Sequence, residues 1–152
     1  MSTSGAKANT SGRLLEETVT RTICGWLPEI KILLAKDRTH EDPPLLVRHV
    51  PYRSIYGTPS KTEFVLVLPD KSIRIECKWQ SVSGSVDEKY PYMFLNMSTV
   101  GEDEVVFLLD GDGAKRAAIQ WLKSACQGHT GKPKMSVHTI SSFVGWVQHG
   151  CK

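Results

Sequence analysis

The sequence predicts a mixed α/β domain with a central β-sheet flanked by helices. Three observations carry this. Residues 62–68 (TEFVLVL) and 71–79 (KSIRIECKW) are β-rich runs that read as a hairpin closed at Pro69-Asp70. Residues 104–109 (EVVFLL) form an apolar run of strand length, followed by an Ala-rich helical stretch at 114–126. Near the start, Leu14, Leu15, Val19, Ile23 and Leu27 recur at helical spacing.

The first helix is expected to follow Ser11 as its N-cap, with Glu16 and Glu17 near its start, and to end or kink at Pro28. Ile30, Ile32, Leu33 and Leu34 follow, then a polar stretch and the breaker Pro43-Pro44. Residues 45–50 are a short strand candidate and residues 51–61 a loop, ahead of the hairpin. Residues 81–85 read as a turn and 87–99 as a helix whose start is limited by Pro91. After the strand at 104–109 and the helix at 114–126, a short strand is expected at 135–140. A last helix from Ser141 or Ser142 carries Phe143, Trp146 and Val147 inward.

At 152 residues the chain is long enough for one domain, since domains cluster around ~100–150 residues. Hydrophobic residues at 40% and charged residues at 23% exclude a disordered tail protein, a collagen-like fibre and a coiled coil. Net charge is +3 with no basic tail or acidic arm, so charge alone assigns no nucleic-acid partner. Cys24, Cys77, Cys126 and Cys151 form no CxxC pair, which favours free thiols in a reducing cytoplasm over structural zinc. No apolar run approaches the ~18 residues of a membrane span. Residues 1–11 are small and polar, and are expected to be a flexible lead to a domain at 12–152.

The hairpin is the candidate site. Alternation puts Ile73, Ile75, Cys77 and Trp79 on one face of the second strand, and Arg74, Glu76, Lys78 and Gln80 on the other. For the apolar faces to coincide, Phe64 and Leu66 must pair with odd positions such as Ile75 and Ile73. That parity puts Glu63 beside Glu76 or Lys78, within ~5–8 Å. Two ionised carboxylates so placed repel, and a hard cation such as Mg²⁺ would bind them, with waters and a substrate phosphate completing its shell. The alternative is an exposed strand face whose Glu76, Lys78 and Arg74 make ordinary ion pairs.

At these residues the sequence resembles the PD-(D/E)xK nuclease superfamily, the restriction-endonuclease-like fold. Gly12-Arg-Leu-Leu-Glu16 is similar to the first-helix motif, and Pro59-Ser-Lys-Thr-Glu63-Phe to the strand carrying the first metal-binding acid. Ile75-Glu76-Cys77-Lys78-Trp79-Gln80 resembles the Glu-x-Lys half-motif with its trailing glutamine, and residues 83–92 the loop and helix start that follow in small phage and bacterial members. The first acid here is Glu63 where Asp is more usual, and Pro59 is not adjacent to it. The resemblance implies that Glu63 and Glu76 bind Mg²⁺ or Mn²⁺, that Lys78 positions the attacking water, and that Glu16 adds a further acid. Gln80 would orient Glu16 or the substrate, and Ser83, Lys89 and Tyr92 would touch the nucleic acid. The implied activity is DNA phosphodiester hydrolysis by a cytoplasmic enzyme of a bacterium or phage-infected cell, with a homodimer expected for double-strand cleavage. The superfamily also holds inactive members, so the alternative is a nucleic-acid-binding or assembly protein on the same fold.

The substrate side is read from residues 43–62, which contain no acid. Arg48, His49, Arg53 and Lys61 are interleaved there with Tyr52 and Tyr56, a pattern suited to phosphates and bases. Gly128-His-Thr-Gly-Lys132 lacks P-loop spacing and follows a helix, and Asp110-Gly-Asp112-Gly lacks the later ligands of a calcium loop; neither is retained.

Overall fold

The computed structural model describes residues 4–80 and 87–152. Helix α1 (Ser4–Trp26) is followed by strands β1 (Lys31–Leu34), β2 (Leu45–Arg53), β3 (Pro59–Val67) and β4 (Ser72–Trp79). Then come α2 (Tyr90–Met97), β5 (Glu104–Asp110), α3 (Arg116–Gly128), β6 (Lys134–His138) and α4 (Ile140–Gln148). The six strands form one sheet in the order β1 to β6. β2, β3 and β4 are an antiparallel meander, while β1 joins β2, and β5 and β6 extend β4, in parallel. The chain therefore has the mixed sheet with flanking helices that the sequence predicts.

Both faces of the sheet are covered, which explains the unbroken apolar run in β5. Val106 and Leu108 join Phe64, Leu66, Ile73 and Ile75 in a core closed by Leu15, Val19 and Ile23 of α1 and Phe143 and Val147 of α4. Val105, Phe107 and Leu109 point the other way, to Tyr90, Met93 and Met97 of α2 and Leu122 and Cys126 of α3. The hairpin register is the one required by the apolar faces, Phe64 opposite Ile75 and Leu66 opposite Ile73. Its turn closes through the Leu68 N–H to Lys71 carbonyl bond at 2.8 Å. All four cysteines are free. Among the described residues no helix is long and apolar enough to cross a membrane.

Several boundaries differ from the sequence expectation. α1 starts at Ser4, inside the segment expected to be a flexible lead, so Ser11 lies within the helix and is not its N-cap. Gly12 interrupts a helix by only ~1 kcal/mol, too little to set a boundary. The supposed loop at 51–61 is mostly strand: β2 runs on to Arg53 and β3 begins at Pro59. Pro51 fits because β1 stops opposite Arg48, leaving the far half of β2 as a free edge where no N–H is needed. β1 itself is a four-residue parallel edge strand with no alternation to reveal it. Pro91 sits in the first turn of α2, where its missing N–H costs nothing. The last helix starts one or two residues earlier than expected, at Ile140, capped by Thr139 in a reciprocal capping box with Ser142.

Arg74 is buried on the face opposite Ile73 and Ile75. Its Nε and Nη2 donate to both oxygens of Glu102 at 2.9 and 2.7 Å, and Nη1 donates to Thr62 Oγ1 at 2.9 Å. Its guanidinium also lies 5.7 Å from the centre of the Tyr52 ring. Glu102→Ala is expected to leave this charge buried without its partner and to cost about 3 kcal/mol of stability. A urea titration reads that as a lower midpoint at unchanged slope.

Candidate metal and nucleic-acid site

The site lies where β3 parts from β4. Up to Arg48 and Phe64 the alternation of β2 and β3 is regular. Arg48 lies 5.9 Å over the Phe64 ring, on the α1 side. Beyond this point the faces exchange. Tyr52 packs with the α2 core, although an unbroken strand would put it on the face of Arg48. Thr62 reaches Arg74, although it should share the face of Phe64. The pairing frame is kept, with Arg48 opposite Phe64 and Val50 opposite Thr62. The exchange therefore falls at His49, which has φ 55°, and at Glu63 across from it.

This irregularity turns Glu63 toward β4. The β3–β4 ladder ends at Phe64 and Ile75, and the Glu63 carboxylate takes the next free donor, accepting the Cys77 N–H at 2.9 Å. Glu76, the neighbour on β4, is only 4% exposed. Its Oε1 lies 3.1 Å from Lys78 Nζ. Its Oε2 is buried and has no hydrogen-bond partner among the described residues. Burial, reinforced by the charge of Glu63, lifts the Glu76 carboxyl to a pKa of about 7. Burial also disfavours the Lys78 ammonium, but the Glu76 and Glu63 carboxylates outweigh it and raise the Lys78 pKa, so the side chain is cationic at neutral pH.

Glu16 approaches from α1. Burial and the charge of Glu63 raise its pKa, and its carboxylate is 3.9 Å from Arg48 Nη2. Glu63 thus acts electrostatically on Glu16, Glu76 and Lys78 alike, and is the hub of the group. Gln80 has a bracing position. It is buried at the end of β4, with its N–H on the Asp110 carbonyl and its Nε2 on the Gly113 carbonyl.

The other candidates line two separate hollows. Tyr52, Lys61, Lys89 and Tyr92 line a cavity of about 190 Å³ together with Glu76 and Lys78. Arg48 and Glu16 line a groove of about 540 Å³ on the α1 side, with Arg13 and Arg21. Arg53 is drawn instead into the β2–β3 turn, where its Nη1 donates to the Gly57 carbonyl at 2.8 Å. Ser83 lies outside the described residues. Sequence reasoning missed Thr62, which adjoins Glu76, and Asn96, which lines the same cavity. Thr62 carried no signal. Asn96 did, as a lone amide in the apolar helix YPYMFLNM, where such a residue needs a specific partner.

Among the described residues no group of three or more His, Cys, Asp or Glu side chains is gathered to hold a metal ion. Mg²⁺ does not require one, because it binds through one or two carboxylates and keeps several waters. The unpartnered, buried Oε2 of Glu76 and the neighbouring Glu63 carboxylate fit such an ion: it would satisfy an orphaned acceptor and neutralise two repelling charges.

A family model described as the PD-(D/E)XK nuclease superfamily domain matches residues 7–151. No curated protein matches the chain. Among solved structures, the chain is similar to the crystal structure of a protein of unknown function, AF1548, at 12% identity and a TM-score of 0.45. The match covers 83% of this chain and 59% of that one, so this chain spans about three-fifths of the other's length.

Proposed function

The chain belongs to the PD-(D/E)XK nuclease superfamily, and from that premise we propose that it is a divalent-metal-dependent endonuclease that hydrolyses DNA phosphodiester bonds. The observation that carries the reading is the meeting of Glu63, Glu76 and Lys78 where β3 and β4 part. Glu63 and Glu76 would hold Mg²⁺, with Mn²⁺ as a substitute. Such an ion supplies an acidified water and neutralises charge on a phosphoryl oxygen.

The remaining work falls to side chains. Lys78, held cationic by its two acids, donates to the attacking water or to a phosphoryl oxygen and stabilises the charge that develops there. It does not serve as the base while both carboxylates are ionised. Glu16, with its raised pKa, is the further acid facing the site. Lys61, Lys89 and Arg48 neutralise phosphates on either side, and Tyr52 and Tyr92 form apolar walls. One such centre cuts one strand, so cleavage of both strands would take two copies, and a homodimer is the assembly this reading favours. The same reading places the enzyme in the cytoplasm of a bacterium or a phage-infected cell.

The test is a cleavage panel over supercoiled, nicked, branched and single-stranded DNA with Mg²⁺, Mn²⁺ or EDTA. Cutting that needs the cation and is lost in Lys78→Ala is the expected outcome. The competing reading, an inert nucleic-acid-binding or assembly protein on the same fold, predicts steeply salt-dependent binding and no cutting with any cation.

A further inference from the structure

The tip of the β2–β3 hairpin is braced at every position. Ser54 is buried, and its hydroxyl lies 2.7 Å from Thr58 Oγ1 while accepting the Tyr56 and Thr58 N–H groups at 3.2 and 3.3 Å. Gly57, at φ 76°, donates to the Ser54 carbonyl at 2.8 Å, and Arg53 clamps the Gly57 carbonyl. The tip is also fastened to α2, because the Ile55 N–H donates to Oδ1 of the buried Asn96 at 2.9 Å.

This stiff turn holds an aromatic ring in the open. Tyr56 is 77% exposed, and one face of its ring stacks on Tyr92 at 5.6 Å between centres and 22° between planes. Tyr92 and Asn96, the two anchors, line the cavity that contains Glu76 and Lys78. A single exposed apolar side chain needs no explanation. A stacked pair on a braced turn, at the rim of an anion-suited cavity and with one π-face free, matches what a nucleobase requires. Lys61 and Lys89 line the same cavity as Tyr92, Arg53 is exposed at the turn itself, and residues 43–62 include no acid. In continuous duplex each base is already stacked on both sides. The ring can take a base only where that stack is broken.

We propose that the Tyr56–Tyr92 pair is a stacking platform for an unpaired base of the substrate strand, and that the chain thereby selects DNA with unpaired nucleotides beside the scissile phosphate over continuous duplex. The inference rests on the nuclease reading but is tested apart from cleavage. Single-stranded oligonucleotides carrying 2-aminopurine, and a blunt duplex of the same sequence, are titrated with protein in EDTA. The wild-type protein should quench the single strand. Tyr56→Ala should lose the quench and bind that strand about tenfold more weakly, with duplex affinity changed by less than about twofold. Tyr56→Phe should keep both properties. The side chain is exposed, so folding is retained, as circular dichroism checks.

An unaltered quench in Tyr56→Ala, or equal losses on single strand and duplex, overturns the platform. Cutting by a protein without such a quench would remove the platform and leave the nuclease reading. A Tyr56-dependent quench by a protein that cuts nothing would do the reverse.

Discussion

Glu76→Gln is expected to abolish cleavage while stabilising the cation-free protein above neutral pH. The two effects share one cause. Glu76 is buried next to Glu63, and its pKa of about 7 means that ionising it in the folded protein is costly. The sign follows from proton linkage. Between the ordinary carboxylate range and about 7 the folded state binds more protons at this site than the unfolded state, so its contribution to stability is full at acid pH and is lost as pH rises through 7. The amide carries no charge and escapes this loss. At pH 8, with EDTA present, each ~1 kcal/mol so gained appears as a rise in melting temperature of about 2–4 °C.

The same substitution removes an anionic ligand, and the rate should fall roughly a thousandfold or more, ~4 kcal/mol in the barrier. In the wild-type protein, cation and proton compete for Glu76. Cleavage at low Mg²⁺ should therefore climb through the region of pH 7, and raising Mg²⁺ should move that rise to lower pH. A pH-independent rate at limiting Mg²⁺, together with an unchanged melting temperature for the variant, would remove Glu76 from the site.

Gly111→Ala is expected to be strongly damaging for a change of one methyl group. Gly111 has φ 100°, where an L side chain is strained, and a Cβ there would lie 2.0 Å from the Gln80 carbonyl oxygen. That carbonyl accepts from the Gly113 N–H, and the Gln80 N–H donates to the Asp110 carbonyl, so the turn after β5 grips the end of β4 on both sides. Relief requires moving backbone two residues from Lys78. A loss of about 3 kcal/mol or more is expected in urea titration, together with a fall in cleavage at temperatures where the protein remains folded. Gly145→Ala is the control. It lies in α4 with open space around the new methyl, and a gain of about 1 kcal/mol is expected there.

The part of the fold visible in the sequence was the part set by side-chain parity. Phe64 and Leu66 had to pair with odd positions of the next strand, and the structure pairs them with Ile75 and Ile73. Glu63 does lie beside β4, accepting the Cys77 N–H, but it arrives there by an irregularity that parity does not describe. The exchange of faces at His49 and Glu63 depends on a left-handed backbone at a histidine, which no periodicity reveals. The missed and shortened strands are edges: β1 is too short to alternate, and the end of β2 carries a proline tolerated only because nothing pairs with its outer side. The gripping of Gln80 by the 110–113 turn was invisible for a different reason. It is a contact between backbones, and Gly111 reads in sequence as one more turn glycine.

The neighbour-by-neighbour order of the sheet also bears on how the chain reaches its native state. β2, β3 and β4 join through short turns, whereas β5 and β6 each wait for a helix to cross before they can dock. Loop closure is cheapest for the first group. The meander is accordingly expected to be the folding nucleus, with high φ-values at Phe64 and Ile75 and low ones at Val105 and Met135. Glu63 and Glu76 would then be drawn together in the rate-limiting ensemble, and their mutual repulsion should slow folding as the solution becomes more alkaline.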